Sequence, residues 1–588
     1  MRSNLLPTIS SLSLLALATA SVACTDDSTG NDEVGNSTDS TSVGDGDGDT
    51  NTESSSSDSS SDTASTTDAE TTDPTTSSTT DPTTTDSSTT DATDTTTDTT
   101  ETGQPCGPEC CPGDAMCEGD ISLICNDDGT AWEESEVCDP IQGLSCGAQG
   151  LCEGECTQAA IGLSYIGCDY YPTVTLQYDS YNTSPKDNFA VAVANVYDQD
   201  AMITITQGNN MIVDTVVAPG DVEVITLPWV NPLTKGNGPT TMVTDGAYRL
   251  RSDRPIVVYQ YNPLASTTTN DASLLLPVNA WGPDYMVASW PHWSGIPAFY
   301  AVVAHEDNTT VTLTPGPAAV SVAAGAGVAA NGSGVVVLNE SDVLEVITAS
   351  GDLTGTSVSA DKPISVFGGH KCTNVPANIT ACDHLEEALF PIQTLADEYV
   401  VVPPVQVPNN AALKAQMVRI IATEPDTDIT FEPDLGLNQN LALAGQFIQL
   451  DLSTAQFKVT GSKKIMVVQY MVGQSAGFGT SDPAMVQAVT PAQFRSDYLF
   501  HAAPTWTANF VDIIAPNNAM VTVDGANVAA WTAIGATGFS AAHVPLSNAG
   551  NGNHSVASNQ KVGISVYGVQ SAGSYWYPGG LDLEIDPQ

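Results

Sequence analysis

The sequence predicts an all-β head built from four tandem sandwich-like repeats, and three observations carry that reading. First, one phrase recurs at near-constant spacing: Asp169-Tyr170, Asp284-Tyr285, Glu398-Tyr399 and Asp497-Tyr498, with Tyr-to-Tyr steps of 115, 114 and 99 residues. A second phrase follows each copy (Phe189 to Thr206, Tyr300 to Thr314, Met417 to Pro433, Phe510 to Gly525). A third closes it (Asp253-Arg-Pro-Ile256, Asp361-Lys-Pro-Ile364, Lys463-Lys-Ile465, Gln560-Lys-Val562). Three phrases in fixed order mean tandem copies of one structural unit, and a unit of this length is large enough to bury its own core. Second, the repeated segments alternate apolar and hydroxylated residues, as in Thr310-Val-Thr-Leu-Thr314. Period two with Thr and Val describes a half-buried strand. Third, helical periodicity is nearly absent; His384–Leu389 offers one turn at most.

Taken from the N-terminus, the first element is a leader. Arg2, an apolar run from Leu5 to Val22 and Ala23-Cys24 describe an export signal over residues 1–23. Cys directly after Ala23 is similar to a bacterial lipobox, with Ser21 where Leu is usual. By that resemblance Cys24 carries the lipid, and several acyl chains on one residue anchor stably. Thr25 after the cysteine favours the outer membrane. No other stretch approaches 18 apolar residues, so the lipid is the expected membrane contact.

Residues 24–104 are almost wholly Ser, Thr, Asp, Gly and Pro, too poor in apolar surface to offset backbone entropy. They read as a disordered acidic stalk with a reach of roughly 50 Å. Gly44–Asp49 reads GDGDGD but lacks the closing Glu and flanking helices of a calcium loop.

A small module follows at 105–156. Nine Cys lie between 106 and 156, with a tenth at Cys168. In an exported chain this density is a disulfide framework; zinc is the alternative, weakened by the absence of His and of paired CxxC spacing. We expect Cys156 to pair with Cys168, while the pairing among residues 106–152 stays open. Asn126-Asp-Asp-Gly129 is a hairpin turn between two short strands.

The repeats are expected at 157–277, 278–391, 392–491 and 492–588. Their short strands, separated by turns such as Glu306-Asp-Asn308, Pro425-Asp426 and Asn517-Asn518, favour sandwiches. A β-propeller with two blades per repeat is the alternative.

Charge narrows the function. The formal net charge is −54, and residues 186–588 alone carry 35 acids against 14 basic residues. Such a surface repels nucleic acid, so no nucleic-acid partner is expected. Gly473-Gln-Ser475-Ala-Gly477 follows a strand, as a hydrolase nucleophile elbow does. No helix pattern follows, and Gln570-Ser-Ala-Gly573 repeats the same turn in copy four, so an enzyme is not expected. A surface hydrolase using Ser475 is the alternative function. His370-x-Cys372 and Cys382-x-His384 form a mirrored pair that could be metal arms. The other copies lack it and the compartment is oxidising, so a Cys372–Cys382 disulfide is expected, with no metal and no cofactor. Tyr575, Trp576 and Tyr577, and Trp290-Pro-His-Trp293, are aromatic clusters that either pack inside or contact a ligand.

Asp361-Lys-Pro-Ile-Ser-Val-Phe-Gly-Gly-His-Lys-Cys372, then Cys382-Asp-His384, Pro391 and Glu398-Tyr-Val-Val401, with Ser574-Tyr-Trp-Tyr-Pro-Gly-Gly580 at the end, resembles the IgGFc-binding protein N-terminal domain family over about 160–585. Trp576 stands where that family more often has a smaller residue. The resemblance implies an extracellular binding or adhesion role toward a protein or glycan. Animal members bind the Fc part of IgG, and bacterial relatives are surface or secreted proteins. It brings no mapped contact residues with it.

The expected protein is therefore an exported, lipid-anchored outer-membrane protein, on the cell surface or facing the periplasm, whose head binds an extracellular ligand; a structural envelope component is a further alternative. Variable loops on a repeated frame are where binding usually sits. The loops in question are Asn262–Asp271, Gly369–His384 and Gly473–Asp482. The second, pinned by its cysteines, gives the candidate binding residues Lys371, Thr373, Asn374, Asn378, Asp383 and His384.

Overall fold

The structure is a computed structural model that describes residues 106–177, 189–234, 238–264 and 269–587. The leader, Cys24 and the stalk lie outside the described residues.

The cysteine-rich module is a three-stranded antiparallel sheet, Ala115–Glu118, Ile121–Cys125 and Trp132–Val137, with the Asn126–Gly129 turn between the second and third strands. Its disulfides join Cys106 to Cys111, Cys110 to Cys125, Cys117 to Cys146 and Cys138 to Cys152. Cys156–Cys168 stitches the module to the first repeat. Arg251 of that repeat also reaches Asp139 at 2.9 Å.

Each of the four copies builds the same two antiparallel layers around one long closing strand. The closing strands are Arg249–Tyr261, Ser357–Asn374 and Asn553–Gln570; in copy three the strand breaks into Phe457–Gly461 and Ile465–Met471. The second half of each closing strand lies between a central strand (Phe189–Asn195, Ala298–Ala304, Gln416–Ala422, Ala508–Pro516) and a return strand (Ala272–Leu275, Cys382–Ala388, Met485–Gln487, Gly573–Pro578). A flanking strand (Val222–Leu227, Val343–Gly351, Phe447–Ser453, Phe539–Leu546) completes that layer. The first half pairs with an entry strand, which carries the acid-Tyr phrase, and with one outer strand, which in turn pairs with a second. The unit is a sandwich, and in copy three its two layers separate into two distinct sheets.

The recurring tyrosine has a mechanical role. The pairing of entry and closing strands slips in register where the chain turns from one layer into the other. Pro255 and Pro363 sit at that point and have no N–H to donate. Beside the slip the tyrosine ties its hydroxyl to the closing strand: Tyr170 donates to Ile256 O at 2.6 Å, Tyr285 to Ile364 O at 2.7 Å, and Tyr498 to Val562 O. In copies one, two and four the first and third repeated phrases are thus two halves of one hydrogen bond; in copy three the Tyr399 hydroxyl accepts from Ala396 N at 3.0 Å. The turns in the second phrase place Asn308, Asp426 and Asn518 at positive φ (57°, 55° and 72°), where Asn and Asp are better tolerated than bulkier side chains.

The copies do not hang as beads. The return strand of copy one touches those of copies two and four, and the return strand of copy three does the same, so the four form a closed ring. This is why the central strands read as nearly continuous apolar runs rather than alternating ones, since both faces are covered. Among the described residues copy three keeps a core of its own around Tyr399, Ile420, Phe431 and Val459, while one larger core runs from Tyr165 through to Leu583 and takes in Met417 and Val468 of copy three. The expectation that each copy buries its own core is corrected accordingly. Tyr259 and Tyr261 on copy one close the circle by donating to Gly579 O (2.7 Å) and His501 O (2.8 Å) of copy four. The circle is the feature shared with a propeller, but each repeat forms one two-layered unit, not two blades.

Candidate functional site

The divergent loops of the copies converge on the ring. Asp271 lies at its centre and is fully buried. Its Oδ1 accepts the amides of Ala272 (3.0 Å) and Trp576 (3.1 Å), and its Oδ2 those of Glu386 (3.1 Å) and Met485 (2.9 Å). Burial pushes this carboxyl well above the usual range, against the pull of the four amides. Asp383 joins three copies in the same manner, accepting from Asn270 N (2.6 Å), His384 N (2.9 Å) and Ser574 N (3.0 Å). Burial, with the Asp482 and Asp271 charges added, drives it up as well.

This corrects the reading of the copy-two loop. Lys371, Thr373, Asn374, Asp383 and His384 are buried, because the segment is mostly strand: Ser357–Asn374 pairs with Cys382–Ala388 almost to its tip. Asn374 holds the turn by accepting from Ala381 N at 3.2 Å. His384 stacks on Phe299 at 5.9 Å and lies 3.1 Å from Asn262 Nδ2 and 3.3 Å from Thr175 Oγ1. Of the six candidate residues only Asn378 is exposed. Cys372 and Cys382 are bonded to each other across the neck of the hairpin, so neither thiolate is available to a metal. Among the described residues no group of three or more His, Cys, Asp or Glu is placed to hold a metal ion.

The aromatic candidates Tyr575, Trp576 and Tyr577 are likewise corrected from contact to core. All three are fully buried on the copy-four return strand, with Tyr575 donating to Asn509 Oδ1 (2.8 Å), Trp576 to Ser565 Oγ (3.2 Å) and Tyr577 to His501 O. Ser475 occupies a one-turn 3-10 segment, Gln474–Ala476, in an antiparallel setting. Gly473 of the same motif faces the hairpin so closely that a Cβ there would lie 2.5 Å from the Ala381 Cβ. The first glycine therefore serves packing between copies two and three.

What the hairpin does present is its tip. Pro376, Ala377 and Asn378 form one wall of a cleft of about 420 Å³; the rest comes from Trp290, Pro291, Met417, Arg419, Gln449, Asp451 and Leu452. The cleft thus joins two motifs that the sequence sets apart, the cysteine-pinned hairpin and the Trp290 cluster, to the flanking strand of copy three. Its floor is rigid. Arg419, 2% exposed, lies 4.5 Å from the ring centres of both Trp290 and Phe447. It donates to Gln449 Oε1 (3.0 Å), Ser289 O (2.9 Å) and Thr354 Oγ1 (2.7 Å) and pairs with Asp352 at 3.0 Å. Tyr470 packs on Trp290 at 4.7 Å. A guanidinium held by stacking and by several acceptors is a fixed part of the wall.

Asp451 and Leu452 are the residues sequence reasoning missed. They sit at a register slip between Phe447–Ser453 and the copy-three central strand, where Gln416 pairs with Ser453 but Val418 pairs with Leu450. The equivalent pairings of copies one, two and four run without such a slip. No local residue pattern announces the extra residue; aligning the four flanking strands against each other is the only sequence signal that could have exposed it.

Residues 271–568, just over half of the chain, match the family model described as IgGFc binding protein. Among curated proteins the chain is similar to the IgGFc-binding protein of Homo sapiens, with 24% identity over 436 residues. The matched stretch is 71% of this chain and 8% of the human protein, so the chain spans less than a tenth of that relative. The matched interval contains every residue of the cleft.

Proposed function

The chain belongs to the IgGFc-binding protein family, and on that premise we propose that it is an extracellular binding protein, anchored through a lipid on Cys24, that captures a protein partner in the cleft beneath the 372–382 hairpin. The observation that supports this most is the wall itself: an exposed tip, tied at its neck by Cys372–Cys382, facing a floor in which Arg419 is held by stacking, hydrogen bonds and the Asp352 ion pair. Pre-ordered walls lower the entropy lost on binding. A protein suits the cleft better than a glycan. Sugar recognition uses open aromatic faces, and here the Trp290 ring is 3% exposed and covered by Arg419 and Tyr470. The human relative is named for binding IgG Fc; whether Fc is the partner here is an outcome of the experiment.

The test is capture of extracellular proteins, IgG Fc among them, and of glycans by the immobilised full-length chain. Ala377→Trp plugs the cleft at an exposed position and leaves the strands alone. Capture of a protein by the native chain that Ala377→Trp abolishes is the expected result. Capture unaffected by the plug moves the site elsewhere, and capture of glycans alone overturns the choice of partner.

A further inference from the structure

We infer that the cleft is a receptor for one cationic side chain, a lysine or arginine presented by the partner, whose stem lies along Met417 and Leu452 and whose head meets Asp451. The inference rests on the cleft being the binding site and specifies what enters it.

The local backbone points this way. Opposite Met417 the flanking strand holds one residue too many. Bulges of this kind re-aim side chains and are over-represented beside functional sites. Here the bulge turns Asp451 and Leu452 toward the cleft. Leu452 takes φ 45°, a left-handed conformation unfavourable for a leucine, while its side chain stays 42% exposed. Its amide is held by Met417 Sδ at 3.3 Å. A strained backbone that displays an apolar side chain to solvent gains nothing for the core, and only one of the four copies has it.

The charges agree. Asp451 is exposed and accepts from Gln449 Nε2 at 2.7 Å. Among the described residues it makes no ion pair, and the neighbouring cation, Arg419, is occupied by Asp352 and its other acceptors. Long cationic side chains bury their methylenes and keep the head at a polar rim, which matches Met417 and Leu452 below Asp451. The excess of acids over residues 186–588 attracts a basic partner over longer range.

Three capped amino acids separate the contributions: N-acetyl-lysine N-methylamide, N-acetyl-arginine N-methylamide, and N-acetyl-norleucine N-methylamide, which keeps the stem without the charge. Binding to the full-length chain is followed by saturation-transfer NMR. The lysine and arginine probes should bind about fivefold more tightly than norleucine, and Asp451→Asn should reduce them to the norleucine level. Equal binding of all three, with displacement by Ala377→Trp, overturns the cationic assignment and leaves the cleft as the site. Binding of the charged probes that survives Asp451→Asn also overturns it. Absence of signal from every probe, with partner capture that the plug does not touch, overturns both.

Discussion

Asp271 Oδ1 accepts the Trp576 amide at 3.1 Å across 305 residues of chain. The same carboxylate reaches the return strands of copies two and three. One side chain of copy one is therefore bonded to backbone in all four copies, and the ring closes around it. A neutral acid could offer these amides fewer lone pairs, so the surrounding donors favour the charged form while burial opposes it.

Replacing Asp271 should be felt by every copy. Asp271→Ala leaves four buried amides without an acceptor, at about 1–3 kcal/mol each, so the urea-unfolding free energy should fall by at least about 4 kcal/mol. Asp271→Asn retains one carbonyl oxygen and should lose less. An Ala variant whose unfolding midpoint matches the native protein would show that the ring is held by packing alone.

The recurring tyrosines test the joint between layers. Tyr285→Phe removes the donor to Ile364 O and strands a buried carbonyl, a loss of about 1–3 kcal/mol. Tyr170→Phe should cost a similar amount by removing the bond to Ile256 O. Differential calorimetry reads both. No change in either would reduce the tyrosine to a space-filler.

These two cases mark where the sequence was legible. The tyrosine and the Ile or Val of the closing phrase recur four times in the sequence, so the repeat marks both partners, and the structure shows the bond between them in copies one, two and four. The strands and the two-layered unit follow from alternation at Thr310–Thr314 and its equivalents. Asp271 could not be found this way, because its partners are backbone amides of Ala272, Glu386, Met485 and Trp576, whose side chains share nothing. The buried flanks of the copy-two hairpin misled for a related reason. Lys371, Asp383 and His384 are polar residues of the kind that mark a loop, but the ring supplies Asp383 and His384 with partners from other copies. Solvent exposure was the missing quantity, and only the closed circle fixes it.

The buried pair Lys414 and Asp482 should shape the pH profile. Burial pushes Asp482 up to about 7, against the pull of Lys414, and burial brings Lys414 down to about 7, against the pull of Asp482. Asp482 titrates higher in the folded chain than unfolded, so the stability it contributes is whole below about pH 4 and is lost as pH rises through 7. Lys414 titrates lower when folded, so its contribution is whole above about pH 10.4 and is lost as pH falls to 7. Between pH 4 and 7 the melting temperature of Asp482→Asn should therefore decline less than that of the native chain. The neighbouring Asp383, relieved of the Asp482 charge, adds to the effect in the same direction. Parallel melting profiles for the two proteins would remove the pair from the account.

Anchoring can be tested independently of the head. If Cys24 carries the lipid, Cys24→Ser should move the protein from the membrane fraction to the soluble one, with the melting of the head unchanged. A serine variant that stays with the membrane after a carbonate wash would refute the anchor.

The last prediction separates what the Cys372–Cys382 bond does for stability from what it does for binding. A bond closing so short a loop stabilises by about 2.5 kcal/mol through the unfolded chain. The neck of the hairpin is already fixed by other means: Asp383 is tied to copies one and four, and Gly473 N donates to Val375 O at 3.1 Å. Replacing both cysteines by serine should therefore lower the melting temperature modestly and leave the ring intact. The tip from Pro376 to Asn378 is tied only within the hairpin among the hydrogen bonds of the described residues, by Ile379 N to Pro376 O (2.9 Å) and Asn374 Nδ2 to Ala377 O (3.4 Å), and it forms one wall of the cleft. Freed at its base, it should sample more conformations, and the partner must then order it on binding. The double variant should accordingly weaken capture by about tenfold through faster dissociation, with association little altered. Unchanged dissociation alongside the expected drop in melting temperature would confine the disulfide to stability and take the hairpin tip out of the binding surface.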